Sequence, residues 1–517
     1  MINDNVTSNQ AATLITNPIS GDYRIDVLLE NADFRWNVDQ PLGSPVEVTY
    51  SYMAAAPTYA EAEDAQGFSP FTASQKTATD SILAQIAQQF NISFRPVNDT
   101  ADSYGQIRFG NNNQGQTSAG YAFLPDASDA PRAGDLYINN QDPENLEGVT
   151  RGTNAYATLV HEIGHTLGLK HPGNYNAGES DSAAPGNFLV KSEDSEANTV
   201  MSYVKTPQEL ERDFYGKYDI LALQYLYGSR AYNAAGNTYS FGDSAGGFLQ
   251  ILNDDGGSDT FDAFGASIAA LIDLRDSGFS SIGLLADGSP ARDNVSIALG
   301  DIIENAIGTA LDDTITGNGF ANLITGGTGN DTLDGDAGID AAVFSGTKSA
   351  YTIAAAGAGW TVTDATSTRD GTDTLANIER LAFSDTHLAL DLNGNAGTAA
   401  KILGAVFGKD AVSNKQFAGI GLKFLDGGMS YLDLMQLALN AKLGAGFSDS
   451  AEITLLYQNL ASVTPSVDDI ATWSAAIASN QYTQASLAVM AADHALNTAN
   501  IQLAGLATSG LEYTPAA

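Results

Sequence analysis

Between Gly308 and Val343 the chain repeats itself every nine residues, and few folds accommodate that period. The units GTALDDTIT, GNGFANLIT, GGTGNDTLD and GDAGIDAAV begin at Gly308, Gly317, Gly326 and Gly335. Each carries Asp or Asn in sixth place (Asp313, Asn322, Asp331, Asp340) and an apolar residue in eighth place (Ile315, Ile324, Leu333, Ala342). Glycine permits tight turns, and fixed places at this period predict a parallel β-helix in which two units make one coil. Asp313 then faces Asp331, and Asn322 faces Asp340, eighteen residues on. Carboxylates together with turn carbonyls, as at Gly326 and Gly329, form the oxygen-rich cage that Ca²⁺ prefers, while the eighth places point inward as core. Asn322 is uncharged and only GGTGND is close to a regular unit, which predicts a small set of structural calcium sites. DDGGSDTFD, Asp254 to Asp262 with Asp259 in sixth place, reads as an outlying turn of the same kind. The alternative is a Gly/Asp-rich linker, against which the period through four units argues.

At 517 residues the chain exceeds one compact core, so it is read as multidomain. Residues 1–20 are polar and unpatterned, a leader or short pro-segment. Residues 21–228 mix a helix over Thr72–Phe90 with short strands in the stretches 92–97, 105–111, 118–125 and 134–139, an α/β pattern. A second helix follows in TNAYATLVHEIGHTLG, with Ala157, Val160, Ile163 and Leu167 as its buried face. Residues 229–390 read as β and residues 391–517 as helical, the latter from Ile453, Leu456, Tyr457 and Leu460, then Ile470, Trp473 and Ile477. The 61 acidic against 23 basic residues, net charge −38, disfavour nucleic-acid partners. There is no cysteine, which excludes disulfides and thiolate chemistry. No basic n-region precedes an apolar run, so a cleaved signal peptide is not visible, and no apolar stretch is long enough for membrane insertion.

HEIGHTLGLKH, His161 to His171, holds three of the five histidines. Residues four apart on a helix project from one face, so His161 and His165 point at one ion. Gly168 can adopt the left-handed conformation that ends a helix and returns the chain, which brings His171 in as third ligand. Three imidazoles suit one Zn²⁺ and leave its fourth position to water, the pattern of a catalytic site. Glu162 lies about 100° round the helix from His161, where its carboxylate acts as general base without ligating. Zinc lowers the pKa of its water from about 16 towards about 7 and polarises a scissile carbonyl. Satisfied surface or core histidines are the plainer reading of HExxH alone, and Gly168 with His171 argue against it. His387 and His494 have no such neighbours and read as ordinary structural or surface residues.

HExxHxxGxxH followed by NTVMSY, with Met201 thirty residues after His171, resembles the metzincins, and MSY resembles their serralysin subfamily. HPGNYNAG at 171–178, DILALQYLYG at 219–228 and IENAIG at 303–308 extend the likeness over roughly residues 21–390. The resemblance implies an α/β metzincin catalytic domain followed by a parallel β-roll. It implies that Met201 is the apolar floor beneath the metal, and that Tyr203 is able to ligate the metal and to swing towards an oxyanion. A core methionine and a buried structural tyrosine are the alternatives. It also implies an edge strand, best matched by Ser118–Pro125 with Ala119, Gly120, Tyr121 and Ala122, that receives protein or peptide substrates in extended form. Repeats of this kind resemble those of proteins exported by type I secretion without an N-terminal signal and folded by extracellular calcium.

The chain departs from the serralysins by continuing through residues 391–517, an all-α extension weakly similar to domains appended to secreted or surface-layer proteins. That extension either carries the export signal or tethers the chain at a surface, with the exporter or surface layer as partner; the chain itself is expected to be a monomer. The alternative to a secreted zinc endopeptidase is a non-catalytic calcium-binding surface-layer or adhesive protein with a degenerate protease module. Retention of Glu162 argues against it. A zinc hydrolase acting on a non-peptide bond is the second rival.

Overall fold

The computed structural model describes residues 20–516, apart from 31, 117, 127, 129–130 and 174–187. The expected leader lies outside the described residues except for Ser20, as does the end of HPGNYNAG from residue 174. The chain divides into two compact units, Met1–Ile303 and Glu304–Ala517. Residues 229–303, read from sequence together with the repeats, cluster with the first unit.

The first unit is built on a sheet of order β2-β1-β3-β5-β4, from β1 (Val46–Tyr52), β2 (Ile92–Pro96), β3 (Ile107–Asn112), β4 (Gly120–Ala122) and β5 (Asp135–Asn139). β1, β2, β3 and β5 are parallel, and β4 runs antiparallel along β5 as the terminal strand. Every residue of β3 and β5 is buried, as strands covered on both faces must be. The helix Ala73–Gln89 starts at a capping box in which the Thr72 hydroxyl accepts from the Gln75 N–H and the Gln75 side chain accepts from the Thr72 N–H. Its Ala78, Ile82, Leu83 and Ile86 face the core. The helix Asn154–Thr166, capped by Thr153, is different. Ala155 to Thr166 are all buried, so the one-faced helix read from Ala157, Val160, Ile163 and Leu167 is in fact enclosed all round.

In the second unit parallel strands stack at the predicted step. Asn305 pairs with Leu323 and Leu323 with Ala341, while Thr314 pairs with Thr332, each eighteen residues on. Ile315, Ile324, Leu333 and Ala342 are at most 1 % exposed. Burying each of the three larger side chains contributes about 1.5–3 kcal/mol. An antiparallel hairpin, Tyr351–Ala356 with Gly359–Asp364, then interrupts the period. Beyond it, Thr372–Ala376 and Arg380–Ala382 resume parallel pairing with Thr332–Asp336 and Ala341–Val343.

Helices Lys415–Asp426, Tyr431–Leu443, Asp449–Ala461, Val467–Ala478 and Gln484–Ala492 each begin at an Asn, Ser or Thr whose side chain accepts a first-turn N–H. Leu422, Met435, Leu439, Ile453 and Leu456 form their core. Tyr457, Leu460, Ile470, Trp473 and Ile477 are only partly buried, and Val467–Ala478 contributes no fully buried residue because it packs mainly on Asp449–Ala461. The extension is not all helical. Leu511–Tyr513 forms a strand antiparallel to His387–Ala389, with Leu511 and Tyr513 buried and Glu512 between them less so, an alternation too short to stand out in the sequence.

Candidate metal centre

The helix Asn154–Thr166 ends where Trp36 Nε1–H donates to the Thr166 carbonyl (2.8 Å) and the Tyr227 hydroxyl donates to that of Leu167 (3.0 Å), which satisfies groups a helix end leaves open. Gly168 follows at φ +101°, and a Cβ there would lie 2.1 Å from the Phe34 carbonyl oxygen. Both facts require glycine. The chain turns back, Leu169 bridges to Leu29, and the Lys170 N–H donates to the Leu28 carbonyl, which fixes the approach of His171.

The three imidazoles converge. Nε2 of His171 lies 3.1 Å from Nε2 of both His161 and His165. Nδ1 of His161 is 2.7 Å from the Val200 carbonyl and Nδ1 of His165 is 2.7 Å from the Leu169 carbonyl. A carbonyl only accepts, so each Nδ1 carries the proton and each Nε2 presents a lone pair. Two donors about 2.0–2.1 Å from a tetrahedral ion stand about 3.3 Å apart, close to the spacing found here. The donor set fits zinc. Burial and the two neighbouring imidazoles hold His171 well below the ordinary histidine range, hence neutral and fit to ligate.

Met201 is fully buried, and a Cβ on Gly164 would meet its Sδ at 2.9 Å; the methionine therefore packs against the helix between His161 and His165, where a floor is expected. What holds that turn was not singled out from sequence. Buried Asp219, at the start of the helix Lys217–Tyr227, accepts from the Val200 and Gly216 N–H groups (both 2.7 Å) and from the Thr199 hydroxyl. Burial raises its carboxyl pKa while those donors oppose the shift. Tyr203 places its hydroxyl 3.0 Å from His171 Nε2, its ring lying over that of His161. Two residues on, Lys205 is held by Glu196 (2.9 Å) and Glu211 (2.8 Å), and burial pushes Glu196 up to about 7 against the pull of Lys205.

Glu162 is fully buried beneath the edge strand: a Cβ on Gly120 would lie 3.0 Å from its Cγ and 3.2 Å from its Oε1. Gly120, Tyr121 and Ala122 form β4, and Ala119 precedes it. The Ala119 carbonyl accepts from the Asn139 N–H, and both main-chain groups of Phe123 bond towards β5. By the alternation of an antiparallel ladder, Gly120 and Ala122 direct theirs to the outer edge. The sequence marked the strand without this distinction. Tyr121 bonds inward to Asp64 and Asn112.

The sixth-place residues Asp313, Asn322, Asp331 and Asp340 are all buried. Oδ1 of Asp331 accepts the Asp313 N–H (2.8 Å) and Oδ1 of Asp340 accepts the Asn322 N–H (2.7 Å), so each predicted pair is in contact. Oδ2 of Asp331 and of Asp340 is buried and accepts no hydrogen bond. Burial pushes both carboxyls up to about 7. Gly326 is required because a Cβ there would lie 2.1 Å from Asp331 Oδ2, and Gly329 sits at φ +133°. Asp259 is buried and accepts the Asn237 N–H (2.7 Å). Among the described residues, no helix is long and apolar enough to cross a membrane.

Residues 35–213 match the family model of the metallo-peptidase family M12, and residues 219–400 match that of the peptidase M10 serralysin C terminal. The chain is 34 % identical to the metallopeptidase AprA of Pseudomonas marginalis, over 54 % of this chain and 61 % of that protein. It is 35 % identical to a serralysin of Proteus mirabilis over 56 % and 63 %, and 33 % identical to a serralysin of Photorhabdus laumondii over 57 % and 64 %. The alignments thus span less than two thirds of these relatives' length.

Proposed function

The chain belongs to the serralysin-type metzincins, and on that premise we propose that it is a secreted zinc endopeptidase with His161, His165 and His171 as ligands and Glu162 as general base. The convergence of the three imidazoles, with Nε2 of His171 3.1 Å from Nε2 of both His161 and His165, carries this reading. Zinc, when bound, supplies Lewis-acid activation of water and of the scissile carbonyl. Glu162 takes the proton of the attacking water and returns it to the leaving amine. The Tyr203 hydroxyl, 3.0 Å from His171, donates to the developing oxyanion after it swings aside. Gly120 and Ala122 pair with an extended peptide through main-chain groups, which gives affinity with weak side-chain demand and hence broad specificity on unfolded proteins.

We further propose that the repeats hold Ca²⁺ at Asp313 with Asp331 and at Asn322 with Asp340, supported by the bare buried oxygens of Asp331 and Asp340. Asp259 contributes an outlying site. Export follows the type I route and calcium outside the cell drives folding, with residues 391–517 serving as export signal or surface tether on a monomer.

The test is cleavage of unfolded casein by the full chain alongside its zinc content. Phenanthroline removes activity, and Glu162→Ala lowers kcat at least about 100-fold with zinc retained. Cleavage unchanged in Glu162→Ala defeats the mechanism, and a zinc-loaded wild type that binds casein without cutting it favours the surface-protein alternative.

A further inference from the structure

The helix Ala73–Gln89 turns Ile82, Leu83 and Ile86 to the core, and its other side carries Ser81, Gln85, Gln88 and Gln89 at steps of three and four. That polar stripe forms one wall of a cleft of about 600 Å³. The facing wall comes from the strands Thr238–Gly242 and Gln250–Leu252 and from Asn253, which follows the second of them. The Arg230 N–H donates to the Gln89 carbonyl (2.9 Å) and its guanidinium to that of Ala87 (2.7 Å), so the chain entering the second wall is tied to the end of the helix. All these residues lie within the first unit, and none belongs to the metal centre.

Two buried residues of the lining are paired amides. Asn253 Nδ2 donates to Gln89 Oε1 (2.8 Å), with Gln89 4 % and Asn253 7 % exposed. Gln89 Nε2 and Asn253 Oδ1 make no hydrogen bond among the described residues, and neither is among the polar atoms sealed from solvent, so both open on the cleft. Gln250 beside them uses its Nε2 on the Ala245 carbonyl (2.9 Å) and keeps its Oε1. Charge in the cleft is cancelled, because Arg151 and Asp213, the charged residues of its lining, form an ion pair with each other. A charged ligand therefore finds no uncompensated partner there. The aromatic lining is held still: the Tyr239 hydroxyl donates to Asp254 and accepts from Asn233 Nδ2 (3.0 Å), and the Phe241 ring is stacked on that of Phe261 (4.5 Å between centroids).

We propose that this cleft binds a neutral saccharide, one or two rings of a glycan chain. A sugar hydroxyl both donates and accepts, and neighbouring hydroxyls of one ring match an amide donor set beside an amide oxygen. Gln89 Nε2 and Asn253 Oδ1 present that combination from side chains already fixed by burial and by their mutual hydrogen bond, so little freedom is lost when a ligand arrives. The C–H faces of a sugar ring pack on aromatic carbon, which Tyr239 and Phe241 supply. An apolar ligand would instead leave the buried amides without partners. The volume lies within the range of small-molecule sites. The site stands apart from the protease reading, since a glycan is held there whether or not the zinc centre cuts.

The test is saturation-transfer NMR on the full chain with glucose, galactose, mannose, N-acetylglucosamine, maltose, lactose and N,N′-diacetylchitobiose. At least one is expected to bind saturably, with a Kd of about 1 mM or tighter. Gln89→Leu, which removes the amide pair, is expected to raise that Kd about tenfold or more, and Gln85→Ala about threefold. Gln85 is only partly buried, so Gln85→Ala is expected to melt with wild type, and its weaker binding is then no folding effect. Crystals of the unaltered chain soaked in the tightest-binding saccharide give an answer that depends on no variant, with hydroxyls expected on Gln89 and Asn253. Absence of saturable transfer from every saccharide, density confined to places outside the cleft, a Kd unchanged in both variants, or transfer to glycerol as strong as to the sugars overturns the saccharide site.

Discussion

Gly168 is the residue on which the histidine geometry turns. Its φ of +101° and the Phe34 carbonyl, 2.1 Å from where a Cβ would stand, act together, so Gly168→Ala strains the backbone and drives apart two main-chain segments. A loss of about 2–4 kcal/mol follows from overpacking and left-handed strain combined. Because His171 lies three residues on, zinc affinity is expected to fall with the melting temperature, as zinc analysis and thermal denaturation will show; unchanged zinc binding removes the bend from the argument. Gly120 gives a complementary case. A side chain there meets Glu162 Cγ at 3.0 Å and Ile138 Cδ1 at 3.0 Å, neither of which supports the metal-binding nitrogens. Gly120→Val is expected to lower kcat/KM on casein about tenfold or more with zinc content unchanged, since a misplacement of order 1 Å costs up to about 100-fold. Loss of zinc in that variant contradicts the assignment of Gly120 to the base rather than to the metal. His161, Glu162 and His165 were legible from helix spacing, and His171 from the glycine bend at Gly168 that follows the helix. Their supports, the Val200 and Leu169 carbonyls, were not, because main-chain atoms brought up by tertiary contact leave no mark in residue type.

Elements were legible where apolar spacing marks them. The helices expected over Thr72–Phe90 and in TNAYATLVHEIGHTLG form within two residues of those bounds, at caps by Thr72 with Gln75 and by Thr153 that the apolar spacing did not use. The spacing of apolar residues also gave the inward places of the repeats. It failed beyond the hairpin Tyr351–Asp364, because an insertion destroys a linear period while leaving the three-dimensional register intact. Charge inside an element is equally silent in a pattern reading. Glu452, in the first turns of the helix Asp449–Ala461, is fully buried, and neither carboxylate oxygen has a hydrogen-bond partner. Burial, reinforced by Asp449, pushes its carboxyl up to about 8. The folded pKa lies above the unfolded one, so the neutral acid's contribution is fully present below about pH 4.5 and is lost as pH rises through 8. The loss amounts to at most about 1.4 kcal/mol per pH unit. Glu452→Gln is expected to flatten this dependence, melting close to wild type at pH 5 and higher than wild type at pH 8. Parallel melting curves of the two proteins from pH 5 to 8 contradict a neutral buried Glu452.

At the scale of the whole chain the two units rest on different supports. The first has a continuous apolar core running from Val27 through Ile163 to Tyr227, within which the histidine helix is enclosed. The stacked strands of the second are thin. One apolar residue per unit points inward, whereas Asp313, Asp331, Asp340 and Asp373 are buried carboxylates on successive turns. The net charge of −38 supplies no local surplus of cations, and the chain has no disulfide to hold such turns together. A bound ion that favours only the folded form adds about 2.7 kcal/mol for each site at a hundredfold excess over its Kd. Calcium withdrawal is therefore expected to act on one unit first. With a calcium-selective chelator and zinc buffered in the medium, amide hydrogen exchange should rise through residues 304–390 while residues 154–171 stay protected and zinc stays bound. The helices from Lys415 onward lose the strand pairing of Leu511–Tyr513 with His387–Ala389 but keep the core around Met435, Leu439 and Ile453, so their protection should fall later than that of the stacked strands. Exchange in residues 304–390 that ignores calcium, or a histidine helix that opens at the same calcium concentration as the strands, contradicts this division of support.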